Sequence, residues 1–235
     1  VFGATAFIAA MFLAEPHSSP TGSNPVSQKE PLRTYLFSSR FLLLWLGMFA
    51  GTFAGLLVSG NLVMLKLSLG LNEYQAALSI PLFAIGNTLG RLAWGRIADR
   101  LGSRKTILLS LGALLLSLLP LLFMTNPAAI LAVSVFTGFG FGACFVVYAS
   151  SVADFFGVQL LPRLYPVCFA GYGLAALLGP ASGGWIADTY GSYFGALLLS
   201  AVILLLAVFT ISMRLPSLMR QPENKLGIVY KQEQE

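Results

Sequence analysis

Residues 90–103 run Gly90-Arg91-Leu92-Ala93-Trp94-Gly95-Arg96-Ile97-Ala98-Asp99-Arg100-Leu101-Gly102-Ser103, and residues 179–192 run Gly179-Pro180-Ala181-Ser182-Gly183-Gly184-Trp185-Ile186-Ala187-Asp188-Thr189-Tyr190-Gly191-Ser192. Gly90, Gly95, Ile97, Ala98, Asp99, Gly102 and Ser103 recur as Gly179, Gly184, Ile186, Ala187, Asp188, Gly191 and Ser192, always at an offset of 89 residues. Three apolar blocks lie in each repeat. If those blocks cross a membrane, the two copies face opposite sides of it, which is the pattern of inverted-topology repeats in transporters. The differences follow the same logic. Arg96, Arg100, Arg104 and Lys105 are replaced by Trp185, Thr189, Tyr193 and Phe194, so one copy carries cations and the other interfacial aromatics.

The rest of the chain supports spanning. Of 235 residues, 57% are hydrophobic, about 134 side chains, and only 10% are charged, against about 25% in a soluble domain. Mean hydropathy is +0.80. A span needs about 20 apolar residues, so six need about 120. Six blocks are expected at 41–66, 74–98, 105–124, 128–153, 161–187 and 193–213, making 41–213 a six-helix bundle. Residues 1–14 (VFGATAFIAAMFLA) are too short to span comfortably. They lack the initiator Met and basic start of a signal peptide, and the preferred reading is a transmembrane helix cut off at its start. Residues 15–40, with Pro16, Pro20, Gly22, Pro25 and Pro31, form a linker, and 214–235 a polar tail.

Charge sets the direction. With the linker placed inside, Lys29, Arg33, Arg40, Arg96, Arg100, Arg104, Lys105, Arg163, Arg214, Arg220, Lys225 and Lys231 all fall inside, twelve of the fourteen cations. Lys66 alone falls outside and Arg91 lies within a span. The positive-inside rule then makes linker and tail cytoplasmic in a multi-pass cell-membrane protein. The same bias explains the net charge of +5 without nucleic acid. Cys144 and Cys168 lie in apolar runs and are expected to be reduced packing residues. The single histidine, His17, has no nearby cysteine and makes no metal site; no cofactor is expected.

The loop Gly95-Arg96-Ile97-Ala98-Asp99-Arg100-Leu101-Gly102-Ser103-Arg104-Lys105 resembles the G-x-x-x-D-R-x-G-R-R/K loop of the major facilitator superfamily, matching at Gly95, Asp99, Arg100, Gly102, Arg104 and Lys105. That family carries the loop between its second and third helices, and more weakly between the eighth and ninth. The resemblance therefore implies that this chain is the C-terminal half, from the end of helix six through helix twelve: an all-α membrane protein whose six-helix bundle of two inverted three-helix repeats is half of a twelve-helix fold. Its partner would be an N-terminal six-helix half. Physically, Gly95 is expected to let a neighbouring helix approach, Asp99 to pair with Arg100 or Arg104, and Gly102 to make the turn. Arg104 and Lys105 are expected to anchor the next helix at the anionic lipid face. The loop is either a topological charge cluster or a gate that breaks during transport.

Within the spans, Arg91 stands out. An intramembrane arginine marks a functional site by default, and all nine acids sit in loops, tails or span ends. Either Arg91 snorkels to the interface or it holds an anion in a cavity. Asn87, one turn earlier on the same face, either adds a donor to that anion or bonds between helices. Gly86 and Gly90 have helix-packing spacing. Tyr148, Phe169 and Tyr172 either line an aromatic cavity or pack in the core. The A-D-F-F-G string at 153–157 and the G-R-x-x-x-G-x-x-x-D-R pattern at 90–100 are similar to the oxalate/formate antiporter and monocarboxylate transporter branch. That likeness implies that Arg91 contacts a carboxylate. Its oxalate antiporters carry a lysine where Tyr172 stands, which favours a monocarboxylate over a dicarboxylate. The expected function is secondary transport of a small organic anion by alternating access. The alternative is a non-transporting fragment or partner subunit that needs a separate N-terminal half. The spans hold no nucleophile, metal cluster or acid pair of the kind an enzyme needs.

Overall fold

Helix boundaries follow the polar residues that can satisfy free backbone groups. The computed structural model describes residues 31–219, so the expectations for 1–14, for most of the linker and for the tail beyond 219 lie outside the described residues. A five-residue helical turn, Leu32–Leu36, falls where the linker was expected to continue. The first span then starts at Ser39 because the Ser38 side chain accepts from Phe41 N at 3.3 Å. Eight longer helices follow: α1 Ser39–Gly60, α2 Leu62–Ser68, α3 Glu73–Leu101, α4 Ser103–Leu118, α5 Pro127–Gly142, α6 Val147–Phe156, α7 Leu161–Tyr190 and α8 Phe194–Met219. Helix α3 opens on a capping box, with Asn72 accepting from Gln75 N at 2.8 Å and the Gln75 side chain accepting from Asn72 N. Helix α5 opens on Asn126 followed by Pro127. Both are strong start signals.

Among the described residues, six segments are long and apolar enough to cross a membrane: Ser39–Gly60, Glu73–Leu101, Ser103–Leu122, Pro127–Phe156, Leu161–Tyr190 and Phe194–Arg214. They match the six expected blocks, with two differences. The block expected to run to 66 breaks at Asn61. The fourth span is interrupted by a 3-10 turn at Ala143–Phe145 between α5 and α6. At the first break, the Asn61 amide donates to Leu57 O at 3.0 Å and to Pro180 O at 3.1 Å, tying the bend to α7.

The described residues from Tyr35 on form one compact unit, and its packing mirrors the sequence repeat. The first span of each repeat packs most extensively on the second span of the other: α1 on α7, and α5 on α3. The third spans do likewise, α8 on α1 and α4 on α5. Helices α1 and α5–α6 are consequently central, with 72% and 61% of their most apolar windows buried. For α3 and α7 the figure is 28% each.

The α3–α5 contact is made by backbones. A Cβ on Gly86 would overlap the Val135 carbonyl oxygen, one on Gly90 the Phe139 oxygen, and one on Gly138 the Phe83 oxygen. On Gly142 it would lie 2.5 Å from Asn87 O and 3.0 Å from Arg91 N. The packing role expected for Gly86 and Gly90 holds, and Gly138 and Gly142 supply its other half. Small residues facing one another in this way let dispersion replace the missing hydrophobic drive in lipid. Trp94 closes the contact by donating Nε1–H to Phe139 O at 3.0 Å.

Lys66, the one cation expected on the outer side, is fully buried on α2, and its Nζ donates to Ile130 O on α5 at 3.0 Å. Cys144 and Cys168 are buried free thiols.

Candidate functional site

Arg91 lies ten residues before the end of α3, about 15 Å along the axis from that end. Its side chain is exposed on the helix face. Two neighbours hold the guanidinium. Nε donates to Asn87 Oδ1 at 2.9 Å, the i−4 partner that helical spacing supplies. Cζ lies 4.1 Å from the centroid of the Phe145 ring, within cation–π range. Both partners are neutral.

Phe145 sits in the 3-10 turn of the fourth span. Gly142 starts that turn, jammed against the backbone of Asn87 and Arg91, so the break and the arginine are held in register. From Phe145 an aromatic series runs to α7. Phe145 meets Tyr172 edge-on at 5.6 Å, Tyr172 stacks on Phe169 at 4.9 Å and 19°, and Phe169 leans on Tyr165 at 5.7 Å. On its other side Phe145 meets Phe141 edge-on at 5.2 Å.

Four expected residues, Arg91, Asn87, Phe169 and Tyr172, thus come together around Phe145, which the sequence reading did not single out. Tyr148 does not join them. It is fully buried, its hydroxyl has no hydrogen-bond partner, and a Cβ on Gly47 would lie 2.6 Å from that hydroxyl. The 3-10 turn resets the helical phase between 145 and 148 and sends Tyr148 into the packing against α1.

The loop between α3 and α4 is arranged differently from expectation at two points. Gly95 makes no close helix approach, since a Cβ there would meet only Val146 Cγ1, at an ordinary 3.5 Å; the close approach belongs to Gly90. Among the described residues, Asp99 forms no ion pair with Arg100 or Arg104. Asp99 and Arg100 are consecutive on the helix and point about 100° apart, and Arg104 lies beyond the turn. Gly102 does make that turn, at φ +74. The acid that contacts the loop is Asp154 of the A-D-F-F-G string, which accepts a hydrogen bond from Ser103 Oγ. Asp99, Arg100 and Lys105 are exposed and Arg104 is half-buried.

The sequence model of the Major Facilitator Superfamily matches residues 1–127 and, in an overlapping match, 44–228. The chain belongs to the Major Facilitator Superfamily. It is a multi-pass transporter-family protein, and its swapped repeats are those of half a transporter fold. It is 28% identical over 199 residues to the oxalate:formate antiporter of Oxalobacter formigenes, covering 84% of this chain and 46% of that protein. It is 29% identical over 195 residues to the gallate transporter of Pseudomonas putida, 81% of this chain and 41% of the relative. With monocarboxylate transporter 12 of Xenopus laevis it shares 30% identity over 145 residues, 59% of this chain and 31% of the relative. The chain therefore spans less than half the length of these transporters.

One variant isolates the role of Phe145. Phe145→Leu keeps the volume and removes the ring, so Arg91 loses its platform and Tyr172 its neighbour. A cation–π contact of this kind is worth about 0.5–2 kcal/mol, so the melting temperature of Phe145→Leu is expected to fall by a few degrees. An unchanged melting temperature contradicts the contact.

Proposed function

We propose that this Major Facilitator Superfamily chain carries half of a secondary transporter that moves a small organic anion, a monocarboxylate, by alternating access. Arg91 binds the carboxylate. The observation that carries this reading is an arginine inside a span whose side-chain partners, Asn87 and Phe145, are both neutral. An uncompensated guanidinium in a low-dielectric setting favours an anion beside it. With Nε engaged by Asn87, the two Nη groups are the fork left for one carboxylate. Phe145, Phe169 and Tyr172 supply the apolar wall for the rest of the ligand. The relatives, named for oxalate and formate, gallate and monocarboxylates, support an organic-anion substrate.

The second half of the transporter, six helices N-terminal to this bundle, would cover the exposed faces of α3 and α7. The loop carrying Gly95, Asp99, Arg100, Gly102, Arg104 and Lys105 lies on the cytoplasmic side by its charge. It acts as a gate: Asp154 clasps Ser103 in one arrangement and releases it in another. The linker and C-terminus are then cytoplasmic as well.

A single cation at the site selects for a single carboxylate, because a second one finds Tyr172 where a lysine would neutralise it. In exchange assays with the full-length protein, acetate and pyruvate are expected to compete at least tenfold more strongly than oxalate or succinate. Equal potency of oxalate overturns the monocarboxylate assignment.

A further inference from the structure

Lys66 has no place in the carboxylate site. It lies six residues beyond the last residue of the first span, Gly60, at the end of the bundle opposite the Gly95–Lys105 loop. It is among the largest fully buried side chains of the protein. An ammonium has three donors, and here Nζ has one acceptor, Ile130 O at 3.0 Å. Among the described residues no acid bonds to it, and the only other titratable groups near this end on the helices packed against α2 are Glu73 and Tyr74, in the first turn of α3, both exposed. Helix α1 carries only Arg40, at its far end, and α5 carries none. A neutral amine leaves one N–H unmet and no charge, whereas a charged one is left buried with two unmet donors and no counter-charge.

We propose that Lys66 is a proton-binding site that reports whether this end of the bundle is closed. Above about pH 8, with α2 against α5, the amine is neutral. When the two helices part, Nζ meets water, its lone pair takes a proton from it, and the resulting ammonium opposes reclosure until the proton is returned. The hydrogen bond joins α2 of the first repeat to α5 of the second, so its loss is coupled to movement between repeats. Burial agrees in direction, pushing the amine down to about 8 from its ordinary 10.5. The sign follows from linkage. Below pH 8 both the buried and the water-exposed amine are charged, and the closed form bears the full penalty. Between pH 8 and 10.5 the exposed amine binds more protons than the buried one, so the closed form gains stability as pH rises.

The test uses the full-length protein in lipid nanodiscs and does not depend on transport, so it stands apart from the carboxylate assignment. The melting temperature of the wild type is expected to rise on the order of 5 °C between pH 7.5 and 9.5. Lys66→Met should stay high and flat, and Lys66→Arg low and flat. Parallel curves for wild type and Lys66→Met overturn the proposal. If Lys66→Met does not fold, amine labelling of the wild type read by mass spectrometry decides instead. Labelling of Lys66 much slower than that of exposed Lys105, with a titration midpoint near 8, supports the site. Labelling like Lys105, with a midpoint near 10.5, overturns it.

Discussion

Arg91→Gln is expected to reduce carboxylate uptake by about 100-fold or more while leaving the amount of protein in the membrane unchanged. The size follows from what the fork supplies. Two charge-assisted hydrogen bonds at about 1.5–3 kcal/mol each exceed the roughly 2.7 kcal/mol that a hundredfold loss requires. Glutamine keeps a polar group one turn from Asn87 and fits beside Phe145, so folding has no reason to fail. The Arg91 side chain is exposed on the helix face, so its replacement leaves no cavity and no buried charge behind. Arg91→Lys is the informative companion. It restores the charge as a point without the fork and should recover only part of the rate. The measurement is uptake of labelled acetate or pyruvate, normalised to protein in the membrane. Wild-type uptake by Arg91→Gln removes Arg91 from the substrate site.

The second large effect is structural. Gly138→Val is expected to prevent α3 and α5 from meeting, giving protein that aggregates in detergent or melts on the order of 10 °C lower. The atom in the way is the Phe83 main-chain oxygen. No rotamer change relieves that clash, so the helices must separate. Overpacking against flexible side chains costs about 1–3 kcal/mol, and a rigid backbone on both sides places this substitution above that range. Gly112, whose Cβ would meet nothing within 4 Å, is the control, and Gly112→Ala should be silent. Size-exclusion profiles and melting curves check both. Wild-type stability of Gly138→Val is incompatible with the backbone contact described.

The spans and the repeat were legible because hydropathy and the 89-residue offset are properties of composition and order. The breaks were not. Residues 128–156 form an almost continuous apolar run, and such a run reads the same whether or not a 3-10 turn interrupts it. That turn brings Phe145 to Arg91 and turns Tyr148 away, so one unread irregularity accounts for both the contact of Phe145 with Arg91 and the core packing of Tyr148. The burial of Lys66 was illegible for a different reason. A lysine at a span end is ordinarily solvated, and only the fold reveals that α5 closes over it. The loop pairing expected of Asp99 went to Asp154, fifty-one residues from its partner Ser103, a separation that local pattern cannot report.

The exchange of partners between the two repeats has a bearing on synthesis. Because α1 rests on α7 and α3 on α5, the glycine face of α3 has nothing to pack on until α5 has been made. Likewise α1 lacks its main neighbour until α7 enters the bilayer. Phe145 follows Arg91 by 54 residues and Ile130 follows Lys66 by 64, which at about 5–20 residues per second is roughly 3 to 13 seconds of translation. During that interval three inserted helices hold an Arg91 without Phe145 and a Lys66 without Ile130. The newborn half-bundle is thus most exposed to quality control while its two costliest charges are unsheltered, and it becomes a stable object only when the second repeat threads into the first.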